Sequence, residues 1–323
     1  MTTKENTLEV LHWGNPEYVP LCTESIQLVG MIPGDFDGPL KGGKDLFGIP
    51  WVPGKEGAMV EPGYHMFEDI ADWDKYIKRP DLNQYDFHRF AEMEYGMIDS
   101  SQKVRTLFCQ NGIFMKLVNS MGFMEGLIAL AEDPEACMDM FDYLTDYVID
   151  YMDRAIDAYR PDMVTYFEDI AMASSLFMSL DTYRKVLKPF HKKIVDFVHS
   201  KDILFQMHTC GRCEDALDDY VDMGVDAWHS AQMSNDLVGI LQKYKGKLVV
   251  EGGWDSQGEP SMITADEAVV RAETKRCMET YGKYPGFILS PVMFNERGNS
   301  VLVGDDRFAF IEDEWKKYRE ICR

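Results

Sequence analysis

The sequence predicts an α/β fold: a (β/α)8 barrel of the TIM type with a loop-rich N-terminal extension. From about residue 100 onward, short apolar segments alternate with helical patterns, which is typical of βαβ units and a parallel sheet. Polar and metal-capable side chains follow most of these apolar segments, as expected where barrel strands end. A doubly wound sheet would carry a glycine-rich phosphate motif after an early strand, and neither G-x-G-x-x-G nor a P-loop is present.

The composition fits one large globular domain spanning residues 1–323. The chain has 33 Lys and Arg against 55 Asp and Glu, a net charge of −22. This balance argues against binding to nucleic acid or to anionic lipid. No apolar run approaches the roughly 20 residues of a membrane span. The seven cysteines are irregularly spaced, so we expect a reduced, cytoplasmic protein without a membrane partner.

Six apolar segments are predicted as strands, at 105–109, 163–167, 203–207, 227–229, 248–251 and 287–289. Helices are predicted at 69–76, 114–120, 122–130, 134–159, 179–200, 216–223, 236–244, 265–281 and 308–321. Asp133 and Pro134 suit the N-cap and first position of the longest helix. Gly224 suits a helix end. Residues 1–100 are rich in glycine and proline, with repeated turn signals at 34–57. We expect this loop-rich part to contribute to the wall of the active site.

The most informative motif is His208-Thr-Cys210-Gly211, directly after the strand predicted at 203–207. Side chains two residues apart on a strand point to the same face. Imidazole and thiolate are both good zinc ligands. Cys213 completes a Cys-x-x-Cys spacing that suits either a shared metal or a redox pair. A core histidine with an inert buried cysteine is the alternative interpretation.

Other predicted strands also end in polar or adaptable side chains. These are Glu168 and Asp169, His229 and Gln232, Glu251, Trp254 and Asp255, and Met293 and Asn295. Asp169 can alternatively be interpreted as a capping or loop-closing carboxylate. One Glu, two His and one Cys over successive strands indicate a site.

Several segments resemble the uroporphyrinogen decarboxylase superfamily and, within it, the corrinoid-linked methyltransferases. They are residues 45–51 (Asp-Leu-Phe-Gly-Ile-Pro-Trp), 162–169, 179–189, 208–211, 223–228 and 251–255. The resemblance runs from about residue 10 to 320 and implies the same α/β barrel. The decarboxylase itself is a poor match, because residues 23–36 lack the arginine that would grip substrate carboxylates.

The methyltransferase resemblance implies zinc bound by His208, Cys210 and a later cysteine near residues 289–294. No cysteine occurs there. Glu168, Cys213 or Glu251 are therefore candidates to complete the coordination, with Glu168 and Cys213 preferred as metal ligands.

The predicted activity is zinc-dependent transfer of a methyl group from a small methylated donor, such as an aryl methyl ether, to the cobalt of a corrinoid. Asp-x-His-x-x-Gly loops are absent, so a separate corrinoid protein is the expected partner. Glu168, His229 and Glu251 are the predicted catalytic residues. The predicted substrate-binding residues are Trp51, Tyr64, Phe167, Gln232, Trp254 and Met293. Three alternatives stay open: methylcorrinoid-to-thiol methyl transfer, a non-catalytic corrinoid- or porphyrin-binding barrel, and a decarboxylase-like enzyme.

Overall fold

The computed structural model describes residues 1–30, 41–54, 57–98, 100–110, 112–296, 300–301 and 304–320. The strands, in chain order, are β1 (Ile26–Val29), β2 (Gly43–Lys44), β3 (Pro50–Gly54), β4 (Gly57–Val60), β5 (Val104–Cys109), β6 (Met163–Phe167), β7 (Leu204–His208), β8 (Ala227–Ala231), β9 (Val249–Gly253), β10 (Phe287–Ser290), β11 (Met293–Phe294) and β12 (Ser300–Val301). The helices are α1 (Thr3–Leu11), α2 (Cys22–Ser25), α3 (Trp73–Tyr76), α4 (Phe87–Tyr95), α5 (Ile113–Met121), α6 (Phe123–Glu132), α7 (Pro134–Tyr159), α8 (Leu180–Thr182), α9 (Lys188–His199), α10 (Leu217–Met223), α11 (Leu237–Lys243), α12 (Glu267–Tyr281) and α13 (Arg307–Tyr318).

A curled parallel sheet in the order β1-β5-β6-β7-β8-β9-β10 forms the centre of the molecule. Between its two edges, Leu21 forms a parallel bridge with Leu289 of β10. The Leu289 N–H also donates to the Pro20 carbonyl at 3.0 Å. The segment just before β1 thus joins the last strand. The predicted TIM-type fold is confirmed, with seven strands in the central sheet among the described residues.

One apolar layer fills the barrel interior near the amino ends of the strands. Its strand residues are Val104, Met163, Ala227, Val249 and Ile288. Val10 and Leu11 of α1 pack into the same cluster and close this end of the barrel. Residues 1–100 are therefore not only loop: α1 and β1 are parts of the barrel itself. A four-residue strand is too short to show a clear period-two pattern, so β1 was not recognisable in the sequence.

A buried ion pair attaches the N-terminal hairpins to the barrel. Strands β2, β3 and β4 form a small antiparallel sheet. Asp45, between β2 and β3, accepts the N–H groups of Phe47 and Ile49. Its Oδ2 lies 3.2 Å from Nζ of Lys116 on α5, and the two side chains are 1% and 5% exposed. Of the turn-rich segment 34–57, residues 34–40 and 55–56 lie outside the described residues.

The helices pack around the sheet much as predicted. Asp133 caps α7 by accepting the Ala136 N–H at 3.1 Å, and Pro134 occupies its first turn. The single helix predicted at 179–200 is observed as α8, a π-helical turn at Tyr183–Leu187, and α9. Among the described residues, no helix taken singly has both the length and the apolar character of a membrane span. Helices α5 and α6 would qualify only as a pair, and they are bent by 113°.

Candidate metal centre

Three potential metal ligands converge at the carboxyl end of β6 and β7. Ligand atoms of Asp169, His208 and Cys210 all lie within 4.8 Å of one another. The Cys210 Sγ atom is 3.5 Å from Nε2 of His208. The Cys210 N–H donates to Oδ1 of Asp169 at 2.7 Å. Two ligands come from the predicted motif, and the third comes from the neighbouring strand end.

The loop after β7 is held by close backbone contact and by two amide side chains. Gly211 has a φ of +79°, and a Cβ atom there would lie 2.5 Å from the Met172 carbonyl oxygen. Only glycine fits such a position without strain. The Gly211 N–H donates to Oε1 of Gln232 at 3.0 Å. Asn235 accepts the Cys213 N–H and donates to the Gly211 carbonyl. These contacts fix Cys210 relative to the barrel.

The structure brings Asp169, rather than the predicted Glu168, to His208 and Cys210. Glu168 is fully buried, and its carboxylate accepts the N–H groups of Phe114 and Met115 at the start of α5. It also contacts the Tyr166 hydroxyl and the His191 imidazole. Glu168 therefore stabilises a helix start, a favourable place for a negative charge.

Strand parity was the overlooked signal for Asp169. The Thr165 hydroxyl bonds to Thr106 and Gln206 inside the barrel, and Phe167 stacks on His208. Period-two alternation carries this inward face from Thr165 through Phe167 to Asp169. The other face carries Tyr166 and then Glu168.

Burial shifts the pKa of each of the three ligand candidates in the direction that favours its neutral form. It raises the pKa of the Asp169 carboxyl to about 6, against a partly opposing hydrogen bond from the Cys210 N–H. Burial and the nearby Asp169 carboxylate raise the pKa of the Cys210 thiol. Burial and the facing His229 hold the pKa of His208 well below its usual value. A cation among these groups would favour the ionised carboxylate and thiolate and would accept the neutral imidazole.

His229 and Glu251 extend the site into the barrel. The Nδ1 atoms of His208 and His229 are 2.7 Å apart. Nε2 of His229 lies 3.9 Å from Oε1 of Glu251. The other Glu251 oxygen accepts from the Gln206 amide at 2.7 Å, and Gln206 in turn accepts from the Thr165 hydroxyl. The structure thus joins two predicted catalytic residues to the metal-ligand candidate His208.

An aromatic wall flanks His208. The Phe167 ring stacks on the imidazole with centroids 4.2 Å apart and an interplanar angle of 19°. The ring of Phe108, at the end of β5, meets both rings edge to face. Phe167 was predicted as a substrate-binding residue and lies at the site. Phe108 was not predicted, although its place two residues after Thr106 on a strand end could have indicated it.

The other predicted residues lie elsewhere. Cys213 is fully buried in the main core and outside the three-residue ligand group. Trp254 is buried and donates to Ser261, and Met293 is buried in the same core. Trp51 is buried in β3. Tyr64 lies near Asp45: partial burial, and secondly the Asp45 charge, raise the pKa of the Tyr64 hydroxyl. None of the described contacts joins these five side chains to His208.

The donor set fits zinc. Imidazole nitrogen, cysteine sulfur and carboxylate oxygen are its usual protein ligands, and three of them with one open position are typical of catalytic zinc. His208 is buried and the other two residues are partly buried, a setting in which ionised ligands favour a compensating cation. Asp169, His208 and Cys210 are therefore the residues that would hold the metal.

Comparison with protein families agrees with this architecture. The family model for uroporphyrinogen decarboxylase (URO-D) matches residues 112–292, more than half of the chain. The chain belongs to the uroporphyrinogen decarboxylase family. The matched region contains all three ligand candidates together with His229 and Glu251.

A solved methyltransferase from Methanosarcina mazei shares the fold of this family member. The two structures have a TM-score of 0.74 and 13% sequence identity, covering 98% of this chain and 99% of the other. At this identity the likeness establishes the fold alone. Comparison with curated proteins gives no match.

Proposed function

We propose that this chain is a zinc-dependent methyltransferase. It would move a methyl group from a small methylated donor, such as an aryl methyl ether, to the cobalt of a corrinoid carried by a separate protein. The observation that carries this proposal is the convergence of Asp169, His208 and Cys210 at the carboxyl end of the barrel strands. That end of a TIM-type barrel is where active sites are built.

The residues of the site have distinct roles in this proposal. Asp169, His208 and Cys210 hold the metal. Zinc, when bound, would supply Lewis acidity toward the donor oxygen, which favours departure of the phenolate as the methyl group passes to the cob(I)-state corrinoid. Phe167 and Phe108 present an apolar wall beside His208, which suits an aromatic donor and limits water at the site. The shared fold with a solved methyltransferase supports the same activity class.

Decarboxylation is the second candidate, because the family match favours it. A tetrapyrrole with many carboxylates needs free cations to hold it. Lys116, on the helix after β5, pairs with Asp45. Arg276, on the helix after β9, pairs with Glu273 and donates to the Gly253 carbonyl. The site instead offers metal ligands, which a decarboxylation without a metal would leave unused.

Zinc content is the first test. The wild type, purified with supplied zinc, should hold one zinc per chain by mass spectrometry of the metal. His208→Ala and Cys210→Ser should lose it. Cys213→Ser is the matched control, since this thiol lies three residues away and outside the ligand group; it should keep the zinc. A zinc-free wild type would overturn the proposal.

Activity is the second test. The zinc-loaded protein is mixed with free cob(I)alamin and a panel of methoxylated phenols, and methylcobalamin formation is followed by absorbance. Methyl transfer by the wild type, lost in Cys210→Ser, is the expected result. The same preparations receive a uroporphyrinogen-type substrate with a carbon dioxide readout. Carbon dioxide release with no methyl transfer would favour the decarboxylase.

A further inference from the structure

We propose that His229 is a positioning residue that fixes the tautomer of His208, and that Glu251 acts through His229. This inference rests on the proposed zinc site and deepens it. It reassigns His229 and Glu251, which were predicted from the sequence to be catalytic, to the support of one metal ligand.

The metal side of His208 determines where its proton lies. Nε2 of His208 faces the Cys210 sulfur at 3.5 Å, so it is the nitrogen on the metal side. A metal binds the unprotonated nitrogen of a neutral imidazole, which carries a single proton. The proton of His208 must then lie on Nδ1.

The imidazole of His229 must accept a hydrogen bond from Nδ1–H of His208. The two Nδ1 atoms are 2.7 Å apart, a distance that requires one donor and one acceptor. With His208 as donor, His229 accepts at Nδ1 and carries its own proton on Nε2. That Nε2 atom faces Glu251.

Glu251 selects this arrangement of protons over its reverse. Its Oε1 is 3.9 Å from Nε2 of His229, too long for a direct hydrogen bond but short enough for the carboxylate charge to favour a proton there. The Gln206 amide holds the other Glu251 oxygen at 2.7 Å. In the reverse arrangement, His229 would donate to Nδ1 of His208. The proton of His208 would then lie on its own Nε2, where the metal would bind.

The interior of the barrel makes this arrangement rigid. Glu251 and Gln206 are almost fully buried, at 5% and 2% exposure. Gln206 accepts from Thr165, whose hydroxyl also contacts Thr106 at 2.7 Å. Partners that orient a metal-bound histidine commonly contribute 10- to 100-fold to metal affinity. We expect the same order here.

The test compares three variants by competition titration of zinc and by the visible spectrum of the cobalt(II)-substituted protein. His229→Leu removes the acceptor and should weaken zinc binding about 10- to 100-fold. His229→Asn places an amide oxygen near the Nδ1 position and should restore most of the affinity. His199→Leu is the matched control. Nε2 of His199 lies 2.9 Å from Oδ2 of Asp226, and His199 is not one of the ligand group. Its replacement should leave zinc affinity unchanged.

A further variant, Glu251→Ala, separates action through His229 from a merely structural role. As a single substitution it should weaken zinc binding. Combined with His229→Leu, it should cause no further loss of zinc affinity. The cobalt d–d bands should shift in His229→Leu and Glu251→Ala and return in His229→Asn. If His229→Leu fails to fold, His229→Asn and Glu251→Ala alone decide: equal losses in both would contradict the acceptor role.

The outcomes distinguish the two proposals. A wild type that binds neither zinc nor cobalt(II) overturns the proposed function. A wild type that binds both, with His229→Leu binding equally tightly, overturns only the positioning role. Equal weakening in His229→Leu and His229→Asn also overturns it, because the amide acceptor would then be irrelevant.

Discussion

Glu168 and Asp169 are adjacent along the chain, yet their carboxylates contact different parts of the barrel. Glu168 accepts the N–H groups of Phe114 and Met115 at the start of α5. Asp169 lies within 4.8 Å of the ligand atoms of His208 and Cys210. Strand alternation separates the two side chains. One carboxylate therefore stabilises the fold, and the other supplies the candidate metal site.

Neutralising each carboxylate separately should give opposite results. Asp169→Asn should lower zinc affinity by more than the roughly 10- to 100-fold that loss of a ligand's hydrogen-bond partner costs, because an anionic ligand itself is lost. The metal-free protein should keep its stability. Burial raises the pKa of Asp169 to about 6, so the ionised carboxylate does not favour folding at neutral pH and its loss costs no stability.

Glu168→Gln should leave zinc binding intact and lower the free energy of unfolding by about 1–3 kcal/mol, because its amide N–H₂ would face backbone donors. Zinc titration and urea unfolding measure the two effects. Zinc loss in Glu168→Gln with full affinity in Asp169→Asn would reverse the assignment.

Gly211→Ala should damage both the fold and the zinc site. The residue has a φ of +79°, and its Cβ would lie 2.5 Å from the Met172 carbonyl oxygen. The loop must shift, and Cys210 shifts with it. We expect a loss of stability beyond the roughly 1–2 kcal/mol that a left-handed backbone costs alanine, together with weaker zinc binding.

Gly246→Ala is the matched control for that change. Gly246 has a φ of +77°, but no neighbouring atom lies within 4 Å of the position that an alanine methyl carbon would take. It should show only the backbone cost, with unchanged zinc affinity. Urea unfolding and zinc titration are measured for both variants. Equal effects in the two would show that the close approach to Met172 is unimportant.

Lys116→Met should test how firmly the N-terminal hairpins are attached to the barrel. It leaves the Asp45 carboxylate buried without its ammonium partner. Breaking such a buried pair typically costs about 3–5 kcal/mol. Urea unfolding should show a decrease of that order in the free energy of unfolding.

Lys192→Met removes the same side chain type from an exposed pair. Lys192 and Asp196 are 44% and 58% exposed, so the loss should stay within about 0.5 kcal/mol. Similar small losses in both lysine variants would mean that the buried pair contributes little to holding the hairpins.

Much of the barrel was predictable from the sequence, because buried parallel strands are short apolar runs between helices. The predicted strands near 105–109, 163–167 and 203–207 agree with β5, β6 and β7 to within one residue. β1 and α1 were missed. The pairing of β1 with β5 depends on residues about 80 positions apart, and no local pattern reports such a contact.

The sequence by itself determined that His208 and Cys210 share one face at a strand end, because alternation along a strand is a local property. It also determined the fold class, since apolar periodicity repeats along the chain. Alternation likewise puts Glu168 and Asp169 on opposite faces of their strand, and only the tertiary structure decided which of the two faces meets His208 and Cys210. It placed Asp169 beside His208, turned Glu168 toward α5, and left Cys213 in the core. Those choices depend on the registers between neighbouring strands and on loop packing, which arise from contacts between distant parts of the chain.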